Sequence, residues 1–270
     1  MPDRPITIFP DVDFGVSHRL DESPDNDDFI LHNHDDIYEI VLFLSGDAEF
    51  YVEGNMYKLR PYDLIITRPF EMHHIQCKSK KPYERIIIFL KADYFKNNRC
   101  EEFEKIFTDR QPGTGNLIAS DIVKDILLNP INRINVYIKE GSLTAANGVM
   151  IEFLYLLNGT NSAVSPSKSK DKRISDIIMY INDHLSETIT LDFLSEKFFI
   201  NKYHLCKIFK KNTGYTLSQY INHKRILLVR ELHSQGQSLL EASTNAGFNN
   251  YSHFYRLYVK KTGMTPKNMS

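Results

Sequence analysis

The chain lacks the features that mark membrane-spanning and secreted proteins. No apolar run approaches the roughly 20 residues that a helix needs to cross a bilayer. The opening segment MPDRPITIFPDVDFG has no basic region followed by an apolar stretch, so we expect no secretory signal. Cysteine is scarce, and the three cysteines, Cys77, Cys100 and Cys206, are odd in number and widely spaced. They favour reduced thiols over a disulfide framework and predict a cytoplasmic protein.

The rest of the composition is that of a globular protein with two oppositely charged halves. The 270 residues are enough for about two domains, with ordinary contents of hydrophobic (42%) and charged (25%) residues. The net charge of −1 conceals a division, because residues 168–270 carry +8 and residues 1–167 carry −9. A basic domain attracts polyanions through counterion release, so the C-terminal half is a candidate for binding nucleic acid.

A polar segment separates the two halves. Residues 158–172, NGTNSAVSPSKSKDK, are poor in apolar residues and rich in Ser, Asn and Lys, as exposed linkers are. The change in charge falls at the same place. The sequence therefore predicts an N-terminal domain over residues 1–157, a linker over 158–172 and a C-terminal domain over 173–270.

Residues 29–90 predict an N-terminal domain of short strands. The segments rich in β-branched and aromatic residues are FILHNH, YEIVLFLSG, AEFYVEG, NMYKLR, DLIITR and ERIIIFL. Glu53-Gly54-Asn55 is typical of a hairpin turn. Many short strands in succession favour a small barrel or sandwich. The residues before Phe29 are a candidate for an arm that moves with a ligand.

The pattern becomes helical between Cys100 and Asn158. One helix face with i, i+3, i+4, i+7 spacing contains Leu143, Ala146, Val149, Met150, Phe153, Leu154 and Leu157. This face is wider than a narrow stripe. We expect it to pack on the strands and to contribute in part to a homodimer interface.

The C-terminal half predicts short helices with capped ends. The first has an apolar face formed by Ile174, Ile177, Ile178, Ile181 and Leu185. A longer helix spans about 217–232, with Tyr220, Ile221, Leu228 and Leu232 directed inward. Residue types that cap helices stand at the other predicted ends: Thr190, Asn201, Ser238 (with Glu241) and Asn249 or Asn250 at N-termini, and Gly214 and Gly247 at C-termini.

An internal repeat relates two parts of this half. FKKNTGYT (209–216) matches YVKKTGMT (258–265) at an offset of 49 residues, which places His204 on His253 and Lys207 on Arg256. Each copy predicts a short helix, a tight turn and a second helix with basic and polar residues on one side, which is a helix-turn-helix unit. Two copies could enter successive major grooves, about 34 Å apart. A helical bundle that binds protein is the alternative, and the tandem copies with their +8 charge favour DNA.

From Arg173 to about Pro266 the chain resembles the AraC/XylS family of bacterial transcription regulators. The strongest portion is AGFNNYSHFYRLYVKKTGMTP, and NKYHLCKIFKKNTGYTLSQYINHKR resembles the first recognition helix and the start of the connecting helix. The chain departs from the family where Ser195 and Ser243 replace Ala, and where Ala242 replaces a larger aliphatic residue. Met269-Ser270 also stands in place of a Tyr-Arg pair.

The resemblance implies double-stranded DNA, an operator or promoter, as the partner, with RNA polymerase in addition if the protein activates. The implied DNA-binding positions are Asn201, Lys202, His204 and Lys207 in the first unit and Asn250, Tyr251, Ser252, His253 and Arg256 in the second. We expect Lys207 and Arg256 to contact phosphate or guanine, and His204, Asn250 and His253 to contact base edges. The family also implies a small-molecule effector, a sugar or related metabolite, and no catalytic residues.

A second resemblance lies in the N-terminal half. His32, His34, Glu39 and Gly46 follow the spacing H-x-H-x4-E-x6-G of the first cupin motif. In metal-binding cupins, the two His and the Glu of this motif hold a divalent ion together with a His of a second motif.

The second cupin motif is degenerate here. PFEMHH, residues 69–74, resembles it, with His73 preferred over His74 as the ligand position and Glu71 in place of the usual Gly. We therefore expect no resident cofactor, and leave open a divalent metal at His32, His34, Glu39 and His73. Without a metal, the same residues line the barrel as contacts for a small ligand or form internal hydrogen bonds.

Together these patterns predict an α+β chain of two domains. The first is a cupin-like β-barrel with trailing helices that senses a ligand, and the second is an all-α domain of two helix-turn-helix units joined by a long helix. The alternative function is a metal-dependent cupin enzyme, an isomerase or dioxygenase, with a nucleic-acid-binding tail.

Overall fold

The computed structural model describes residues 8–24, 34, 36–160, 163–164, 172–213, 215–262 and 265–268. The chain forms two compact units, residues 1–169 and 170–270, which we call the N-terminal and C-terminal domains. The first is β-rich and ends in helices, and the second is helical. The predicted α+β class is therefore confirmed. Among the described residues, no helix has both the length and the apolar character needed to cross a membrane.

The N-terminal domain is built on two antiparallel sheets. Its strands are β1 (Phe14–Asp21), β2 (Ile37–Ser45), β3 (Ala48–Val52), β4 (Asn55–Lys58), β5 (Leu64–Thr67), β6 (His73–Cys77), β7 (Tyr83–Lys91), β8 (Leu117–Ile118) and β9 (Ala163–Val164). The larger sheet has the order β1-β7-β2-β5-β8-β9, and the smaller sheet has the order β4-β3-β6. The predicted hairpin turn joins β3 to β4, with positive φ angles of 47° at Glu53 and 79° at Gly54.

Both faces of the larger sheet are buried. Val41 and Phe43 of β2 pack with Phe50 of the smaller sheet. The intervening residues Ile40 and Leu42 pack with the helices that follow the strands. Because successive side chains of a strand alternate between faces, a strand buried on both sides is apolar along most of its length. This explains the nearly continuous apolar runs of β2 and β7.

The trailing helices cover one face of the larger sheet. They are α1 (Tyr94–Asn97), α2 (Lys105–Thr108), α3 (Ser120–Ile122), α4 (Leu128–Lys139) and α5 (Leu143–Asn158), with a 3-10 turn at Glu101–Glu104 and a π-helical turn at Val123–Leu127. Six of the seven predicted apolar residues of α5 are buried within the domain: Ala146, Val149, Met150, Phe153, Leu154 and Leu157. The packing part of that prediction is confirmed, and a role in dimerisation stays a prediction.

The structure differs from the sequence-based expectation at four strands, β1, β6, β8 and β9, the last of which lies within the predicted linker and pairs with β8. β1 pairs with β7 over eight residues, from Phe14 opposite Leu90 to Asp21 opposite Tyr83. This part of the segment before Phe29 is therefore a strand of the sheet, and the expected arm is wrong for it. β1 was missed because polar residues such as His18 and Arg19 interrupt its apolar pattern. Residues 29–33 of the predicted strand FILHNH lie outside the described residues.

The C-terminal domain consists of helices α6 (Lys172–Asp183), α7 (Leu191–Lys197), α8 (Lys202–Thr213), α9 (Leu217–Ser234), α10 (Leu239–Asn245) and α11 (Tyr251–Thr262), followed by a 3-10 turn at Pro266–Asn268. Helices α7 and α8 form the first helix-turn-helix unit, α10 and α11 form the second, and α9 connects them. The predicted cap of α7 is present, since the Thr190 hydroxyl accepts a hydrogen bond from the Phe193 N–H. The predicted capping box of Ser238 and Glu241 opens α10. Gly214 lies outside the described residues.

Candidate functional site

The first recognition helix, α8, buries its apolar side and exposes its polar side. Leu205 and Phe209 are completely buried. The four predicted DNA-binding residues are all exposed: Asn201, Lys202, His204 and Lys207. Asn201 also caps the helix, because its side-chain oxygen accepts a hydrogen bond from the Tyr203 N–H at 3.0 Å. The helix therefore presents its N-terminal turn and its basic residues to solvent, as a major-groove reading helix must.

Two further residues share this exposed face and were missed from the sequence. Tyr203 is 88% exposed, and Cys206 is exposed as well. With Lys207 and Lys210 they have i, i+3, i+4, i+7 spacing, so the four side chains form one stripe along α8. Tyrosine and cysteine are common core residues, and this led to their omission. The signal that could have found them is the helical period set by the buried Leu205 and Phe209.

The second recognition helix, α11, exposes a narrower face. Phe254 and Tyr258 are buried. Among its predicted DNA-binding residues, Asn250, Ser252 and Arg256 are exposed, whereas Tyr251 and His253 are half-buried. Tyr255 lies one position before Arg256 and is 37% exposed. It is a further residue of this face that the sequence analysis did not predict. Asn250, and not Asn249, provides the cap, since its side-chain oxygen accepts a hydrogen bond from the His253 N–H at 2.8 Å.

The two histidines at equivalent positions of the recognition helices have different surroundings. His204 is exposed. The ring of His253 packs edge-on against Phe248, with ring centroids 5.8 Å apart. His204 is thus the more accessible of the two for a base edge.

In the N-terminal domain, three of the four predicted metal or ligand residues lie together. Glu39 alternates along β2 with Val41 and Phe43, so its side chain lies on the face of the larger sheet that packs with the smaller one. One carboxylate oxygen, Oε2 of Glu39, lies 2.8 Å from Nε2 of His73 and 3.3 Å from Nε2 of His34. Each of the three residues offers one ligand atom within 4.8 Å of the other two. We call these residues the His-Glu-His cluster; His32 lies outside the described residues.

Glu39 and His73 each stabilise the charged form of the other. Burial alone would raise the pKa of Glu39, but hydrogen bonds from His34 and His73 outweigh burial and hold that pKa well below its ordinary value. Burial alone would lower the pKa of His73, but its hydrogen bond to Glu39 and the negative charge of Glu39 outweigh burial and raise that pKa. The cluster therefore favours the ionised form of Glu39 and the protonated form of His73, although both side chains are buried.

Glu71, the departure from the second cupin motif, belongs to a structural network beside the cluster. Its buried carboxylate forms a bidentate ion pair with Arg110, at 2.7 and 2.6 Å, and accepts a hydrogen bond from the Gly113 N–H at 2.7 Å. Burial would raise the pKa of Glu71, but the Arg110 hydrogen bonds and charge outweigh it and lower the pKa. The backbone carbonyl of Glu71 faces Nδ1 of His73 at 2.8 Å. This network fixes the position of His73, and nothing in the local sequence around Glu71 indicated Arg110 as its partner.

Each domain matches the model of a known domain family. A model of an AraC-like ligand binding domain matches residues 14–102, and a model of a helix-turn-helix domain matches residues 194–270. The HTH-type transcriptional regulator YdiP of Escherichia coli (strain K12) is 25% identical over 87% of this chain and 78% of its own length. The HTH-type transcriptional activator RhaS of Escherichia coli (strain SMS-3-5) is 20% identical over 98% of this chain and 97% of its own length.

Solved structures also resemble the chain. ToxT from Vibrio cholerae, determined with a bound unsaturated fatty acid, is 14% identical, with a TM-score of 0.40 over 94% of this chain and 93% of that one. A protein of unknown function from Listeria innocua is 31% identical, with a TM-score of 0.34 over 36% of this chain and 92% of that one.

Proposed function

This chain belongs to the AraC family of DNA-binding transcription regulators with an N-terminal ligand-binding domain, and we propose that it binds one operator through α8 and α11 together. The observation that carries the proposal is the pair of exposed recognition faces. The first contains Lys207 and the second contains Arg256, each six residues after the asparagine that caps its helix. Residues in these turns of a recognition helix reach base edges and flanking phosphates.

The test is a DNA-binding titration at several salt concentrations. One DNA is the fragment upstream of the protein's own gene, and the other is the same fragment with its sequence shuffled. We expect tighter binding to the native fragment and weaker binding at high salt, because phosphate contacts release counterions. Arg256→Ala is expected to cost about 1–3 kcal/mol on the native fragment, the usual contribution of a good contact to guanine.

Lys267→Ala is the matched control, because it removes one positive charge from an exposed residue outside both recognition helices. Equal losses for Arg256→Ala and Lys267→Ala would reduce the role of Arg256 to overall charge. If the wild-type protein shows no salt-dependent binding to either fragment or to a random DNA pool, the operator proposal is wrong.

A small molecule bound in the N-terminal domain is the proposed signal, with a sugar or related metabolite as the expected class. Buried polar side chains between the sheets support it, since Glu39, His73 and Thr67 offer hydrogen-bonding groups in the buried interior. Such a ligand regulates only if it binds one conformational state of the protein better than another. A thermal-unfolding screen with a panel of monosaccharides and sugar acids tests this: a binder raises the melting temperature by mass action, and a uniformly flat panel argues against sugars.

Homodimerisation, RNA polymerase contact and action in the cytoplasm, where the DNA is, are further parts of the proposal. The apolar face of α5 is already buried within the domain. A dimer contact on α4 and α5 would therefore use exposed apolar residues. The most exposed of these are Tyr155 (63%) and Val136 (49%). Sedimentation of the wild type and of Tyr155→Glu distinguishes this from a monomer.

The enzyme alternative rests on the His-Glu-His cluster alone. We propose sensing in place of turnover, because full-length relatives such as RhaS are transcriptional activators by name. Incubation of the metal-supplemented protein with candidate substrates, followed by product analysis, tests this directly. Metal-dependent turnover lost in Glu39→Gln would favour the enzyme.

A further inference from the structure

The His-Glu-His cluster has a hydrogen-bonding arrangement that requires a positive charge at its centre. Nδ1 of His73 lies 2.8 Å from the carbonyl oxygen of Glu71, which only accepts hydrogen bonds. Nδ1 must therefore carry a proton. In the neutral imidazole the lone pair is then on Nε2, and it points at the carboxylate of Glu39 only 2.8 Å away. Two lone pairs at that distance repel each other unless a cation, a proton or a metal ion, lies between them.

The same arrangement is the one that prepares a histidine to bind a metal. Metal-bound histidines almost always donate their other ring N–H to a carbonyl or carboxylate, which fixes the tautomer and orients the ring. The Glu71 carbonyl does this for His73, and the ion pair of Glu71 with Arg110 holds that carbonyl in place. Phe50 stacks on His73 with an interplanar angle of 12°. The ligand is therefore held rigidly from two sides.

The spacing of the three ligand atoms suits a small divalent ion. Zinc bound at about 2.0–2.1 Å in a tetrahedral site separates its ligand atoms by about 3.4 Å. In the cluster, Oε2 of Glu39 lies 2.8 and 3.3 Å from the two Nε2 atoms, and all three ligand atoms fall within 4.8 Å of one another. Small side-chain adjustments bring them to zinc-like distances. The side chain of His34 is 16% exposed, so this ligand is the one nearest the surface, whereas Glu39 and His73 are buried.

We propose that His34, Glu39 and His73 hold a divalent transition-metal ion, with two imidazoles and one carboxylate as ligands and one coordination position open for a small molecule. This inference rests on the proposed sensing function, because the metal would be part of the effector site. Imidazole and carboxylate ligands suit zinc, nickel, iron and manganese ions. A proton in place of the metal is the competing occupant.

The experiment uses the full-length protein with any affinity tag removed and with metals stripped by a chelator. Zn²⁺ is titrated by calorimetry, and Co²⁺ is added separately because its visible absorption reports a low-coordinate site. We expect one Zn²⁺ per chain, an intense Co²⁺ spectrum, and affinity at least about tenfold weaker in Glu39→Gln. His18→Gln is the matched control, since His18 and Glu84 form an exposed His-Glu pair at 2.8 Å on the surface of β1 and β7.

Two results would overturn the proposal. The first is no Zn²⁺ or Co²⁺ binding by the stripped wild type, which would leave a proton in the cluster. The second is equal metal affinity in Glu39→Gln and His18→Gln, with both variants folded by circular dichroism. Operator binding is measured on the same samples. A protein that binds DNA and no metal refutes this inference alone, and one that binds metal and no DNA refutes the proposed function.

Discussion

The two helix-turn-helix units make the same turn with different residues. In the first unit Phe199 follows α7 in the left-handed conformation, with φ of 52°, and its side chain is 95% exposed. In the second unit Gly247 holds the corresponding place after α10, with φ of 90°. The next residue is buried in both cases, Ile200 in one and Phe248 in the other. The backbone path is thus shared, although one unit uses the residue type that this conformation favours and the other does not.

The surroundings of the turn explain the difference. A Cβ atom on Gly247 would lie 2.4 Å from the carbonyl oxygen of Leu185 and 3.0 Å from Nε of Arg225. Arg225 itself donates a hydrogen bond to that carbonyl at 2.9 Å. The second turn is therefore packed against the segment that follows α6, while the first turn faces solvent. In the first turn the left-handed conformation accepts the side chain of Phe199 at some cost in free energy. In the second turn close packing against Leu185 excludes a side chain at Gly247.

The largest expected effect is the loss of stability in Gly247→Ala. The left-handed conformation costs an alanine about 1–2 kcal/mol, and the contact with Leu185 adds to this, so we expect a total above about 2 kcal/mol in urea unfolding. Gly236→Ala is the matched control, because Gly236 also has a positive φ, of 98°, but has no atom within 4 Å of its added Cβ. Equal losses in the two variants would show that packing against Leu185 contributes nothing.

The next effect concerns DNA and compares the two recognition faces. Tyr203 is 88% exposed and Tyr255 37% exposed. An aromatic ring on a recognition face contacts thymine methyl groups and sugars, so we expect Tyr203→Ala to weaken operator binding on the order of tenfold and Tyr255→Ala to weaken it less. Fluorescence anisotropy with labelled operator measures both. A larger loss for Tyr255→Ala would contradict the expectation that the more exposed tyrosine contributes more to operator binding.

A smaller effect separates the caps of α7 and α10. Ser238→Ala and Thr190→Ala each remove a hydroxyl acceptor, and each is expected to lower the free energy of unfolding by about 1 kcal/mol. Only the cap of α10 includes a titrating group: hydrogen bonds from the hydroxyl and the N–H of Ser238 lower the pKa of Glu241 below 4.5. A lowered pKa means that this contribution is present above pH 4.5 and is lost as the pH falls through the folded-state value.

Unfolding measured at several pH values tests this. The effect of Ser238→Ala should shrink in acid, whereas the effect of Thr190→Ala should not. An unchanged effect of Ser238→Ala across the acidic range would mean that Glu241 does not take part in the cap.

The smallest effect has the opposite sign. Phe199→Gly is expected to stabilise the protein by up to about 1 kcal/mol, because glycine accepts the left-handed conformation and the exposed ring loses little packing. A destabilisation would mean that the ring of Phe199 packs more than its exposure indicates. Operator binding by the same variant shows whether the ring serves DNA contact instead.

Sequence patterns predicted the C-terminal domain more completely than the N-terminal one. Caps such as Thr190 and Ser238 act within a single helical turn, so the residues that form them are neighbours in the chain. The strands β1 and β8 were missed because each is defined by pairing with a distant strand. β1 depends on β7, about 70 residues later, and its own residues carry a mixed pattern. Local sequence contains no record of such a partner.

The candidate sites divide in the same way. The basic positions of α8 and α11 follow from helical spacing and the internal repeat, whereas Tyr203 and Cys206 required knowledge of which side of α8 is buried. In the N-terminal domain, motif spacing indicated Glu39, His34 and His73. It did not indicate that Glu71 and Arg110 fix the orientation of His73.

By itself the sequence determined the two-domain order, the charge division and the helix caps, and it indicated candidate residues for both sites. These depend on composition and on neighbours within a few residues. Only the tertiary structure decided which face of each recognition helix is open, which backbone turn excludes a side chain, and that one carboxylate oxygen faces two imidazoles. Each of these depends on atoms far apart in the chain, whose proximity is set by packing of the whole domain and by no local preference.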